Sequence, residues 1–438
     1  MDQPSRRDFL ATSSALALGP GMLSLDRPND AIAAERTRPV PAARPAPMLG
    51  ADDPIKVGVI GTGGMGTGHV DALLAIGKDG RANVQVAALA DVCQPRLEMA
   101  KEKVEAAQGP GSVVGFYSDY QGLLARKDLH GVVIASPEHW HAKMAEDAVA
   151  AGKAVYLEKP MTLRLPEALR LLEVAKANPQ VLMVVGTQFV TIPSYRNAKT
   201  LIAAGAIGKP VWSQTSYCRN SVEGEWLYEL DPAWQPGTNL DWKQWCGALG
   251  EVPWDPAIYA RWRRYRKYST GIIGDLLVHR ITPLVMALDV GWPVRVVASG
   301  GHYIDKGMEN HDQVNLTIEF EGQHTMSVAG STANEVGLET VIRGHKGNLY
   351  LGGRHALIRP ERLYADEVEE RTIEGEDQGD DQDMLRLQWL AAIRSKAPSP
   401  SPVELGAKVM VIVDLATRSL WEGSAFGFDP KTMRARKL

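Results

Sequence analysis

Three glycines carry the first chemical signal in the chain. Gly61, Gly63 and Gly66 stand in a G-x-G-x-x-G spacing directly after an apolar run containing Ile55, Val57, Val59 and Ile60. In that spacing the first glycine permits a tight turn and the second lets the backbone approach a pyrophosphate. The third lets the following helix pack closely on the strand. That helix, read over residues 66–77 with Val70, Leu73 and Leu74 on one face, offers unpaired N–H groups and the positive end of its dipole to phosphates. The chemistry implied is dinucleotide binding, with contacts at Gly61, Gly63, Gly64, Met65 and Gly66. Residues 84–91 read as a second strand ending in Asp91. An acid there accepts hydrogen bonds from the adenosine ribose hydroxyls and repels a 2′-phosphate. Asp91 lies about 30 residues past the first glycine instead of the usual ~20, an excess that the polar loop 78–83 accounts for. The reading is NAD, and the nearby Arg96 leaves NADP open.

The elements that would position these groups alternate. Strand-like runs at 131–135, 154–157 and 181–185 are interleaved with helical patterns at 95–108, 120–125, 141–151 and 165–176. This order predicts a parallel, doubly wound sheet over residues 55–185. From residue 186 to 438 the texture changes to a second α/β domain. A helix is expected over 195–204, then long loops rich in Trp, Tyr, Pro and Arg over 216–268. Alternating runs at 314–320 and 324–330, joined by Glu321-Gly322-Gln323, suit a hairpin in an open, mostly antiparallel sheet. The acidic run 367–383 reads as a solvated loop, and helices over 384–394 and 407–420 close the chain around the breaker APSPSP.

Composition narrows the class. The 438 residues suffice for two domains with their own cores, and 45% hydrophobic with 23% charged is ordinary for a globular protein. A net charge of −4 gives no reason to expect nucleic acid as a partner. Cys93, Cys218 and Cys246 are scattered and odd in number, so neither a disulfide framework nor a metal site is indicated. No apolar run beyond the N-terminus approaches the ~20 residues of a membrane span, and no stable membrane insertion is expected.

The first residues read as an address. Ser5-Arg6-Arg7-Asp8-Phe9-Leu10 is a twin-arginine signature, the apolar stretch 11–25 follows, and Ala31-Ile32-Ala33 supplies a cleavage site. Residues 1–33 are therefore expected to be a signal peptide read by the twin-arginine translocase, with a periplasmic or exported mature chain. Residues 34–54, rich in Pro, Ala and Arg, form an extended spacer, or an arm over a partner subunit or the cofactor. Export after folding suits a protein that loads its cofactor first, and it implies a dinucleotide held tightly.

The order of motifs resembles the Gfo/Idh/MocA oxidoreductases. The glycine turn is followed by Ser136-Pro137 before His141, by Glu158-Lys159-Pro160, and by Gly271…Asp275…His279. The resemblance spans about residues 55–420 and implies a Rossmann domain followed by an α/β domain whose open sheet mediates homo-oligomers. It implies NAD(P), a sugar, inositol or polyol substrate, and a catalytic set of Lys159, Asp275 and His279. It adds Ser136, His139, His141, Glu158, Lys159 and Gln188 to the cofactor contacts, and a cis bond before Pro160. The roles make chemical sense: an imidazole can take a hydroxyl proton near neutral pH, and a lysine beside it can stabilise an alkoxide. Two departures stand out. Phe189 follows Gln188 where many members have an arginine nearby, and the block from Arg261 to Tyr268 (RWRRYRKY) is unusually basic and aromatic. That block, with Trp226, Tyr228, Trp234, Trp242, Trp245 and Trp254, suggests a carbohydrate cleft. Three activities stay open: an exported sugar or polyol oxidoreductase with a non-dissociating cofactor, similar to glucose–fructose oxidoreductase; a redox-neutral glycosidase similar to family 109; and a non-catalytic sugar-binding protein.

Overall fold

The computed structural model describes residues 38–113 and 115–438. The twin-arginine segment and its expected cleavage site lie outside the described residues. Residues 38–54 run extended along the first domain: Arg170 donates to the carbonyls of Arg38 and Pro39, Asn178 to that of Pro41, and Arg394 to those of Gly50, Ala51 and Asp53.

The first domain runs β1 (Ile55–Ile60), α1 (Gly64–Lys78), β2 (Val84–Ala90), α2 (Gln94–Gln108), β3 (Gly115–Tyr117), α3 (Tyr120–Leu124), β4 (Gly131–Ile134), α4 (Glu138–Ala150), β5 (Ala154–Leu157), α5 (Leu165–Ala177) and β6 (Met183–Val185). Its six strands are parallel, in the order β3-β2-β1-β4-β5-β6. Helices on both faces explain why Val57, Val59, Val132 and Val155 have no exposed neighbours to alternate with and are fully buried. Strand order reverses between β1 and β4, so their carboxyl ends open a crevice where a ligand can sit.

The second domain opens with α6 (Pro193–Ala203) and β7 (Pro210–Cys218). An irregular strap follows, holding only α7 (Trp242–Cys246), α8 (Pro256–Ala260) and short 3-10 turns. A π turn over Ile272–Leu277 leads into α9 (Val278–Leu288), then β8 (Pro293–Gly301), β9 (Gln313–Phe320), β10 (Thr325–Ser331), β11 (Val341–Gly344), β12 (Gly347–Gly352), β13 (His355–Pro360) and β14 (Arg371–Ile373). The chain closes with α10 (Asp381–Ser395), α11 (Val403–Glu422), β15 (Phe426–Asp429) and β16 (Arg434–Lys437). These ten strands form one sheet, antiparallel except where β7 runs parallel to β10. The expected hairpin is β9–β10. Two expectations need correction. Residues 210–218 are a strand near the middle of the sheet and extend past 216 into the region read as loop. The acidic run contains edge strand β14, paired to β13. α11 packs on both α5 and β8 and so joins the domains through a continuous core.

The glycine turn shows how closely β1 and α1 approach. A Cβ on Gly66 would lie 1.7 Å from the Gly61 carbonyl oxygen, and Gly61 itself holds φ +86° against the Ala135–Ser136 backbone. Backbone cannot give way as a flexible side chain can. Gly66→Ala is expected to lower stability by about 1–3 kcal/mol or more and to abolish dinucleotide binding, read by thermal unfolding with and without NAD.

Candidate active site

A cleft of about 370 Å³ opens at the carboxyl ends of β1 and β4. Gly61, Gly63, Gly64, Met65, Asp91, Ser136, His141, Glu158 and Lys159 all line it. Its floor suits a dinucleotide. No side chain caps α1, so its first N–H groups lack a side-chain partner. A Cβ on Gly64 would meet nothing within 4 Å, and one on Gly63 would meet only the Arg96 guanidinium, at 3.4 Å. The turn is thus an open cradle at a positive helix end. Asp91 ties that cradle to β2: Oδ2 accepts from Thr62 N (2.6 Å) and Oγ1 (3.2 Å), and Oδ1 from Cys93 N (2.8 Å).

The far wall comes from the second domain. Tyr228, Trp234, Trp245, Tyr259 and Trp262 of the strap face the same cleft. The strap is pinned to the end of β2 by Gln94 N to Asn239 O (2.8 Å) and Asp241 N to Val92 O (3.0 Å). The Arg96 guanidinium lies over both the Trp234 and Tyr259 rings, at 4.8 and 4.7 Å, where the two rings meet edge to face. Trp226, Trp242 and Trp254, expected in a carbohydrate cleft, are elsewhere. Trp226 belongs to the main core, and Trp242 stacks on Trp245 at 4.7 Å with Trp254 edge-on to it. Those rings, with Cys93, Leu240, Cys246 and Tyr268, make a small second core beneath the strap.

At the inner end of the cleft the two domains meet through charge. Lys159, just beyond β5, donates from Nζ to Oδ1 and to the backbone carbonyl of Asp275, both at 3.0 Å. Arg263 Nε donates to the same Oδ1 at 2.8 Å. Burial alone would raise the Asp275 carboxyl, but Lys159 and Arg263 outweigh it and hold it far below the usual carboxylate range. Asp275 sits on the π turn, a helical irregularity common at functional sites. His279, four residues on, packs against Phe189 (5.4 Å) and Tyr217 (5.9 Å). Its Nδ1 is buried without a partner. Burial, reinforced by the charge of Lys159, lowers its pKa to about 3, so the ring is neutral near pH 7. The Lys159–Pro160 bond is cis.

The remaining expected contacts divide. Gly66 serves the packing of α1. Glu158 lines the cleft, but Oε1 accepts from His69 (2.8 Å) and Oε2 from Lys159 N (3.1 Å). Arg386 Nε donates to His69 Nδ1 (3.0 Å), which fixes His69 as a neutral ring with its proton on Nε2, facing Glu158. Burial lowers the His69 pKa accordingly. His141 bridges the carbonyls of Pro160 (2.7 Å) and Ser136 (2.9 Å), joining the two edges of the cleft. His139 is a correction. It turns from the cleft into the second core, donating from Nε2 to Trp245 O (2.7 Å) and packing on Trp245 and Tyr268. Gln188 also stands outside the cleft lining, at the start of the 3-10 turn carrying Phe189, with Oε1 buried and unpartnered.

Sequence reasoning missed Arg263 as the second cation on Asp275. The basic block was visible, but nothing in its spacing separates Arg263 from its neighbours. Arg264 pairs with Asp305, while Arg261 and Arg266 donate to the carbonyls of Tyr228 and Glu309. It also missed Glu138, the first residue of α4, whose Oε1 accepts from Ser269 Oγ at 2.7 Å across the domain boundary.

Comparison with known proteins agrees with this geometry. Residues 55–186 match the model described as "Oxidoreductase family, NAD-binding Rossmann fold", and residues 247–350 match the "GFO/IDH/MocA C-terminal domain". Together these cover more than half of the chain. The chain belongs to the Gfo/Idh/MocA family. Within it, inositol 2-dehydrogenase 1 of Saccharopolyspora erythraea is 36% identical over 157 residues, covering 36% of this chain and 44% of that protein. A glycosyl hydrolase family 109 protein of Streptomyces filamentosus is 31% identical over 190 residues, covering 40% of this chain and 37% of that protein. The match therefore spans less than half of either relative. Among solved structures, levoglucosan dehydrogenase in complex with NADH and L-sorbose covers 85% of this chain and 98% of its own, at a TM-score of 0.65 and 21% identity. An NAD-binding oxidoreductase from Klebsiella pneumoniae gives 0.64 at 22%, with the same coverage. At these identities the likeness establishes the Gfo/Idh/MocA fold.

Replacing Asp275 with Asn leaves Lys159 and Arg263 without their shared counter-charge. Turnover by this Gfo/Idh/MocA protein is expected to fall by about 10²–10⁴-fold, with NAD affinity changed far less, as separate kinetic and fluorescence titrations would register. Acidification offers a second check. Because His279 stays neutral down to about pH 3, the acid limb expected of an ordinary histidine should be missing from the kcat/KM profile.

Proposed function

We propose that the protein is an exported NAD-dependent oxidoreductase acting on a secondary hydroxyl of a sugar, inositol or related polyol, with its cofactor held through many turnovers. The observation that carries this reading is the Lys159–Asp275 pair, whose lysine lines the dinucleotide cleft, with His279 one helical turn beyond Asp275, neutral and with its buried Nδ1 unpartnered.

When bound, NAD supplies the acceptor for the hydride that leaves the carbinol carbon. The chain's own residues handle the proton and the charge. His279 takes the hydroxyl proton, while the Lys159 ammonium stabilises negative charge developing on the oxygen. Asp275 holds that ammonium in place and is itself held by Arg263. The aromatic strap supports retention of the cofactor, because the bound dinucleotide would lie between the glycine turn and Trp234, Trp245 and Tyr259. Export is supported by the motif Ser5-Arg6-Arg7-Asp8-Phe9-Leu10.

A second reading is favoured by the family 109 relatives, which match this chain about as extensively as the inositol dehydrogenases do. In a redox-neutral glycosidase the same base and lysine would serve an oxidation that is later reversed within one cycle.

The test is to purify the protein without added nucleotide, denature it and identify what is released by mass and absorbance. About one NAD(H) per chain is expected. The holoprotein should reduce that NAD when given polyols or sugars. Release of aglycone from aryl glycosides without net reduction would favour the glycosidase instead. A protein that is empty and fails to bind added NAD would contradict both.

A further inference from the structure

Glu138 reaches from the cofactor domain to Ser269, just before the segment that carries Asp275, without lining the cleft. It opens α4, directly after the Ser136-Pro137 turn, and is 1% exposed. Its Oε1 accepts from Ser269 Oγ at 2.7 Å, and Ser269 Oγ in turn accepts from Gly271 N at 3.1 Å. Its Oε2 is buried without a partner.

The segment this bond reaches is buried and turns sharply. Gly271 has φ +60°, and a Cβ there would come within 2.5 Å of Asn310 Cβ, so the turn admits only glycine. Asn310 Nδ2 donates to the carbonyls of Arg263 and Ser269, both at 3.1 Å. The π turn carrying Asp275 begins at the next residue. Asn310 thus fixes the segment within its own domain, whereas Glu138–Ser269 fixes it against the domain that carries Lys159.

We propose that Glu138 is a positioning residue: through Ser269 and Gly271 it registers Asp275 against Lys159. The inference rests on the oxidoreductase reading above for its kinetic consequence, not for its structural one. Burial, more than the neighbouring charges, favours the neutral carboxyl. The charges facing it are Asp275 from the π turn, Arg263 from the strap and Lys159 from the end of β5. An anion at Glu138 would be repelled by Asp275 and would compete with it for Arg263 and Lys159. Burial pushes the Glu138 pKa up to about 8, with Asp275 adding to the rise and Ser269, Arg263 and Lys159 opposing it. The acid is therefore protonated at pH 7 and ionises as the pH rises through about 8.

The experiment compares Glu138→Ala, Glu138→Gln and Ser269→Ala as holoenzymes over a range of pH. Glu138→Ala and Ser269→Ala should each lower kcat roughly ten- to hundred-fold, the scale of a small misplacement of reacting groups, with NAD binding unchanged. Glu138→Gln keeps a neutral acceptor for Ser269, so it should recover most of the rate and lose the wild-type decline above about pH 8. Amide exchange at 269–275 should quicken in the Ala variants, a readout that needs no turnover. Where Glu138→Ala does not fold, Ser269→Ala decides alone. Wild-type rates and exchange in both Ala variants would overturn the proposal, as would a Glu138→Gln enzyme as slow as Glu138→Ala. Failure of the wild type to oxidise any polyol, with exchange altered as expected, would overturn the oxidoreductase reading and leave this one standing.

Discussion

The structure depends on a buried ion pair across a domain boundary. Lys159 belongs to the parallel sheet and Asp275 to the helix start of the other domain, and their side chains are only 8% and 7% exposed. Two charges removed from water at that depth are costly unless every hydrogen-bonding position is used. Here Lys159 also meets the Asp275 backbone carbonyl, and Arg263 brings a second cation to the carboxylate. Removing one partner of such a pair costs about 3–5 kcal/mol, more than a single core methylene can restore. The fold around it follows: β5 must end two residues before Lys159, a π turn must present Asp275, and α11 must hold the domains at a fixed separation.

Burial then assigns the protonation states. His279 loses its positive charge to its apolar setting between Phe189 and Tyr217, and Glu138 keeps its proton. Asp275 and Glu158, equally deep, remain ionised because cations or N–H donors face them. Four groups of similar burial thus divide into two neutral and two charged, according to what each one touches.

The parts of this arrangement written in short-range pattern were readable from sequence. The strand 55–60, the spacing of Gly61, Gly63 and Gly66, and the alternation up to Val185 specify the Rossmann sheet because each depends on neighbours a few residues away. Lys159, Asp275 and His279 were found through resemblance; the structure pairs Lys159 with Asp275 and sets His279 one turn on, against Phe189 and Tyr217. What escaped is long-range. Strand β7 takes its place from partners more than a hundred residues on, at β10 and β11. The strap has no period because its aromatic residues pack on Cys93 and on one another, not on a repeating face. Spacing could not show that Trp242 and Trp254 would pack away from the cleft while Trp245 would serve both the second core and the cleft wall, nor which arginine of the basic block would reach Asp275.

A double-mutant cycle on Lys159 and Asp275, read as kcat/KM with a polyol, tests the cross-domain pair most directly. If the two act as one unit, Lys159→Ala and Asp275→Ala will each be severe and the double variant scarcely slower than either. If the two losses instead multiply in the double variant, the residues act independently, and the buried ion pair is not what organises this site.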